Sequence, residues 1–116
     1  MTIKRSHLIS RQIIGRSAPL NQLIADYGDN LDLLAADEKL HLISVLAFWQ
    51  AVDTELQATT EENEAYTLAE AIEDYAVDLS GDVLAALKCL QSIEVRHLLG
   101  LLCAVTSQLR DGMYQQ

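Results

Sequence analysis

Leu42, Val45, Trp49, Val52 and Leu56 recur at steps of three and four residues, and Leu40, Ile43, Leu46 and Ala47 widen the same apolar face. An α-helix turns once every ~3.6 residues, so this spacing collects side chains on one side of a helix. A second run of the same kind passes through Val95, Leu98, Leu102, Val105 and Leu109. Two long helices, over residues 40–56 and 93–109, are therefore predicted. Leu99, Leu101 and Cys103 make the second apolar around nearly its whole circumference, which calls for either a central position or contact with another molecule.

Shorter elements fill the remainder. Ile3–Ile14 has the spacing of a short amphipathic helix. Gly15, Ser17 and Pro19 then mark a restart, since Ser caps helices and Pro is tolerated in a first turn. Leu20, Leu23, Ile24 and Tyr27 form the next stripe, which Gly28 ends or bends. A turn of helix through Leu31 and Leu34 leads to the first long helix, with Asp37 as the expected N-cap unless Ala35 and Ala36 let a helix run through. Thr59 and Glu62 match a capping box, ahead of a helix with a core face of Tyr66, Ala69, Ile72, Ala76 and Leu79. Asp82 is expected to cap a short helix through Val83, Leu84, Leu87 and Leu90. Ser92 is expected to cap the last helix and Gly112 to stop it.

The expected fold is thus all-α, a compact bundle of five or six helices with two long ones. Displacing the chain by 53 residues places Gly28-Asp29-Asn30-Leu31 on Gly81-Asp82-Val83-Leu84, Ala51-Val52 on Ala104-Val105, and Leu56 on Leu109. This echo suggests two loosely similar halves. The organisation read from the chain is a basic arm or short helix over 1–18, one helical bundle domain over 19–112, and a short tail over 113–116.

Charge alters this picture in one place. The formal net charge is −9, from 17 acidic and eight basic residues, yet residues 1–18 hold Lys4, Arg5, Arg11 and Arg16 and no acid. An acidic body is a poor match for phosphate backbones and for anionic lipid, so neither nucleic acid nor membrane is an expected partner. The basic arm is expected to pack on the acidic helices or to engage an acidic partner. Arg96, His97, Asp53 and Glu55 interrupt the greasiest regions, leaving no stretch of transmembrane length, and the basic start lacks a secretory apolar region. A cytoplasmic location is expected. Cys89 and Cys103 sit in apolar helical patterns and are read as buried thiols rather than as a disulfide framework.

The clearest candidate chemistry is a pair of Glu-x-x-His segments, Glu38-Lys39-Leu40-His41 and Glu94-Val95-Arg96-His97. That spacing can place a carboxylate and an imidazole on one helical face, as in carboxylate-bridged di-metal bundles. Such a centre also needs an inward Glu from each of two further helices. Glu70 or Glu73 supplies one candidate, but before Glu38 only acids such as Asp26 and Asp29 remain. Both pairs also fall in first helical turns, where Glu complements the unpaired amide groups. No metal or cofactor is therefore expected. The acidic run Glu61-Glu62-Asn63-Glu64 reads as a solvated helix start. The Cys89/His97 and Ser44/His41/Asp37 combinations have the residue types of nucleophilic catalysis without a nucleophile turn or anion hole.

Phe48 and Trp49 are the only Phe and Trp, and adjacent helical positions point about 100° apart. Trp49 shares the core stripe, which leaves Phe48 for a subunit surface. The expected function is a noncatalytic protein-binding module, a small adaptor, regulator or chaperone-like protein that forms a homodimer. The alternative is a small metal-dependent helical enzyme built on the two Glu-x-x-His segments.

Overall fold

The computed structural model describes residues 4–13, 15–59, 65–75 and 77–112, with six α-helices among them. A 3₁₀ turn over Arg5–His7 precedes α1 (Ile9–Gln12). There follow α2 (Ala18–Tyr27), α3 (Ala36–Thr59), α4 (Leu68–Asp74), α5 (Gly81–Cys89) and α6 (Val95–Arg110). The chain is an all-helical bundle in which α3 and α6 are the long members, as their periodicity predicts.

α3 occupies the middle, packed against α4, α5 and α6, while α2 lies on α5 and the N-terminal elements lie on α6. Leu42, Val45, Leu46 and Trp49 on α3 meet Leu98, Leu101, Ala104 and Val105 on α6 in one continuous core. The predicted stripe of α3 is narrower than its sequence suggests: Leu40 and Ala47 are exposed. A helix with neighbours along one side has only one face to bury.

Several helix starts are held by residues other than those predicted. α3 begins two residues earlier than Asp37 would set it. The Ala35 carbonyl accepts from Lys39 N–H, and Glu38 Oε1 reaches back to accept the Ala35 N–H at 3.1 Å. Asp37 is therefore inside the first turn, where its charge still suits the helix dipole. α5 is capped by Ser80, whose Oγ accepts from Val83 N–H at 3.2 Å, rather than by Asp82. At α6 the N-cap position is Glu94, and Ser92 lies outside the helix. The capping box Thr59/Glu62 falls outside the described residues, as does the cluster Glu61–Glu64. A different box, Thr67/Glu70, starts α4 instead.

That later start shortens α4 and rotates its inner face. Leu68 and Ala71 are the buried pair, Ala69 faces solvent, and Tyr66 enters the core from the segment before the helix. Ala76 lies outside the described residues.

The N-terminal segment is not one helix. Leu8 and Ile13 are extended, splitting residues 4–13 into a 3₁₀ turn and a single α-turn, while Ile3 and Ile14 lie outside the described residues. The break follows from hydrogen bonds made to a distant turn. Ile9 N–H donates to the Asp29 carbonyl, and the Asp29 carboxylate takes Ser10 N–H at 2.8 Å and also Ser10 Oγ–H.

Gly28 ends α2 with φ +91°, a backbone region that costs glycine nothing. Its counterpart in the 53-residue echo, Gly81, opens α5, so the two glycines sit at opposite helix ends. Gly112, at φ +76°, follows the end of α6 as predicted.

Candidate binding surfaces

Of the residues flagged as chemically promising, none assembles with its sequence partners. Glu38 spends both carboxylate oxygens on structure, one on Ala35 N–H and one on Ser80 Oγ–H at 2.7 Å. It thereby joins the starts of α3 and α5. His41 turns to Tyr75, with Nδ1 3.4 Å from the hydroxyl and the rings edge to face. His97 is buried, whereas Glu94 lies at the surface and holds Arg96 Nε at 3.0 Å. Among the described residues, no three His, Cys, Asp or Glu side chains come together in an arrangement that could hold a metal ion.

The nucleophile candidates are similarly committed. Ser44 Oγ donates back to the Leu40 carbonyl at 2.7 Å, and Asp37 is exposed. The Cys89 thiol is directed at Ala85 O and Asp26 Oδ2, and burial followed by the Asp26 charge raises its pKa. That environment keeps the sulfur protonated and weakly nucleophilic. Cys103 is exposed on α6 rather than buried.

Lys39, within the first Glu-x-x-His segment, plays a part that its sequence context does not signal. Its side chain is fully buried and its Nζ donates to the Asn30 carbonyl at 3.2 Å. This secures the turn between α2 and α3, where Leu31 adopts φ +53° with its side chain in the core. A bulky residue rarely takes that conformation, so burial and the Lys39 bond offset its strain. Desolvation lowers the Lys39 pKa, with Asp32 opposing the shift. Between the depressed value and the ordinary one of ~10.4, the unfolded chain binds more protons, so this group makes stability rise with pH across that window. Lys39→Met is expected to remove this contribution, seen as a smaller pH slope in urea midpoints than in wild type.

Phe48 makes its contact within the chain. Half-buried, it packs edge to face on Tyr66 with ring centroids 6.3 Å apart. Trp49 is buried as its stripe predicts, and its Nε1–H donates to the Tyr66 carbonyl at 2.7 Å.

Two surfaces remain. The first is the outer side of α6, where Val95 and Leu99 are 52% and 53% exposed and Cys103 and Thr106 continue the row at helical spacing. The row is about 22 Å long at ~1.5 Å per residue when Arg110 is included. Neither Asp nor Glu occurs between Val95 and Arg110. The opposite side of the helix buries His97, Leu98, Leu101, Ala104, Val105 and Gln108. α6 is thus both a core helix and an exposed apolar one.

The second surface is a cleft of about 450 Å³ in the N-terminal segment, lined by Arg5, Ser6, Ser10, Arg11, Gln12 and Ile13. Its floor is anchored to α6 and to the Asp29 turn. His7 is fully buried, with Nδ1 accepting from Lys4 N–H and Nε2–H donating to Asp111 Oδ2 at 2.7 Å. The His7 carbonyl accepts from Gln108 Nε2 at 2.6 Å. Asp111 also binds Arg110, whose hydrogen bond, followed by that of His7, holds the Asp111 pKa well below the usual carboxylate range. The segment therefore docks on the largely apolar α6, tied at Asp29 and Asp111, rather than lying along the acidic helices. No sequence signal marks His7, because Asp111 lies 104 residues away.

The chain matches no family model, no curated protein and no solved structure. No described helix is long and apolar enough to cross a membrane.

Proposed function

We propose that this chain is a noncatalytic protein-binding module that pairs with a second copy through the outer row of α6. The carrying observation is the half-exposed Val95–Leu99 row on a helix whose other side is core. Bundles of this size expose single apolar side chains routinely, but aligned ones on one rigid helix mark a contact face. The commitment of Glu38, His41, Ser44 and Cys89 to structural bonds supports a binding role over the metal-enzyme alternative.

An antiparallel pairing of two α6 helices has the required complementarity. It sets Leu99 of each copy near Thr106 of the other and places Cys103 beside the twofold axis. At each end, Arg110 of one copy comes near Glu94 of the other, so an opposite-charge pair flanks the row. The helix dipoles also oppose. One helical row covers less than the ~800 Å² per partner of a standard interface, so the dimer is expected to be weak and concentration-dependent.

Light scattering across about two decades of protein concentration should show wild-type mass rising from monomer toward dimer. Leu99→Asp should stay monomeric with an unchanged circular dichroism spectrum, since the substituted side chain faces solvent. Mild oxidation should yield a Cys103-linked dimer. A wild-type chain that remains monomeric throughout would remove the α6 seam from consideration.

A further inference from the structure

We propose that the cleft lined by Arg5, Ser6, Ser10, Arg11, Gln12 and Ile13 binds an acidic segment of a partner protein. This lies beyond the pairing of copies and does not depend on it, since the cleft and the α6 row are different surfaces.

Charge distribution provides the first argument. Six of the eight basic residues, Lys4, Arg5, Arg11, Arg16, Arg96 and Arg110, belong to the N-terminal segment or to α6, in a chain of net charge −9. A carboxylate-bearing partner is repelled by most of the molecule and attracted to this part. Such asymmetry orients an encounter and suppresses other docking poses.

The two guanidinium groups provide the second. Lys4, Arg96 and Arg110 each lie within ion-pair distance of a carboxylate, and Lys39 is buried against a carbonyl. Arg5 and Arg11 are exposed, border the same cleft, and have no carboxylate partner among the described residues. A guanidinium presents a planar fork that matches a carboxylate with two parallel hydrogen bonds. Two forks on one cleft suit a chain segment that carries two acidic side chains.

The third argument is preorganisation. Both arginines stand on short turns held from below by Asp111, Gln108 and Asp29. Ordering these turns is part of folding, so it is not charged against binding. Asp29 stands behind Ser10 and places one negative charge near the wall, which offsets one of the two arginines and leaves the cleft cationic. Ser6 and Gln12 offer polar contacts for a peptide backbone, and Ile13 a small apolar one. Two unpaired arginines over this volume are too few for a phosphate backbone, where about six to ten contacts are usual, or for a lipid surface, which takes clusters of about four to eight cations.

The test is calorimetric titration of the 116-residue chain with a capped hexaglutamate peptide at low and at physiological salt. Arg5→Gln/Arg11→Gln should weaken binding by about tenfold, whereas Arg16→Gln/Lys88→Gln, the same charge change outside the cleft, should alter it by less than about twofold. The substituted side chains are exposed, so circular dichroism melts of both double variants should match wild type. Equal losses in the two double variants would show unselective attraction and overturn the proposal. Absence of peptide binding to wild type would also overturn it. So would inorganic phosphate, duplex DNA or vesicles containing phosphatidylserine binding the cleft as tightly as the peptide.

Discussion

Replacing Trp49 with Ala is expected to destabilise the fold by about 3–5 kcal/mol, the usual range for emptying a buried aromatic position. Trp49 stands at the point where α3 receives the chain that leads into α4. Its Nε1–H holds the Tyr66 carbonyl, Asp53 Oδ1 accepts the Tyr66 N–H at 2.9 Å, and the Tyr66 hydroxyl donates to Asp74 Oδ2 at 2.5 Å. Burial, followed by that hydrogen bond and charge, pushes the Tyr66 pKa up to about 12, so the hydroxyl remains a donor at neutral pH. Removing the indole leaves a space and orphans a carbonyl together. Small domains have only about 5–15 kcal/mol of net stability, so the loss is a large share. Trp49→Phe separates the two effects by keeping a ring without the donor. It should cost about 1–2 kcal/mol more than a volume-matched apolar exchange, because an acceptor loses its partner. Trp49 is the only tryptophan, so urea unfolding is followed by circular dichroism. A cost for Trp49→Ala below about 1 kcal/mol would show that the Tyr66 segment is held by other contacts.

The second large effect is expected at Gly100. Exchanging Gly for Ala within a helix ordinarily gains up to about 1 kcal/mol. Here the sign should reverse. A Cβ at Gly100 would lie 2.6 Å from the Gln12 carbonyl oxygen and 2.9 Å from Ile13 Cγ2, and a backbone atom cannot swing aside as a side-chain tip can. Gly100→Ala is therefore expected to lower the melting temperature. Gly100→Leu should displace the N-terminal segment altogether, exposing the fully buried Ile9 at a cost of about 1.5–3 kcal/mol for that side chain alone. Amide exchange distinguishes this from general unfolding. The Ile9 and Ser10 amides, both bonded to Asp29, should lose protection, while those in the centre of α3 retain it. A melting temperature raised by Gly100→Ala would mean that the segment does not rest on α6 in solution.

These effects lie at places that the sequence marks to very different degrees. The Trp49 stripe is legible because helical periodicity is a local property. Any amphipathic helix must present its apolar side to something, and the spacing states which side that is. The same logic finds α2, α5 and α6. It overreaches at Leu40 and Ala47, where an apolar residue type does not make a side chain inward, and at Cys103, which is exposed on α6. The Glu-x-x-His segments show the limit of motif spacing. Glu38 and His41 sit one helical turn apart as expected, yet their partners, Ser80 and Tyr75, come from remote segments and use the groups for structure.

Capping is an intermediate case. Thr67/Glu70 and Thr59/Glu62 have identical spacing, and nothing local ranks them. α3 continues through Thr59, and the box observed among the described residues is Thr67/Glu70, which caps α4.

Taken by itself, the sequence determined that this protein is all-helical, that two of its helices are long, which stripe of α3 forms the core, and that its positive charge gathers at the N-terminus. Each of these follows from interactions between residues a few positions apart or from composition. Tertiary structure alone decided that the basic segment folds onto α6 through Gly100, His7 and Asp111, that Lys39 is buried under the Asn30 turn, and that Arg5 and Arg11 flank one cleft. Those outcomes depend on contacts across large sequence separations. Helical periodicity says which side of an element is apolar, and it carries no information about which distant element will cover it.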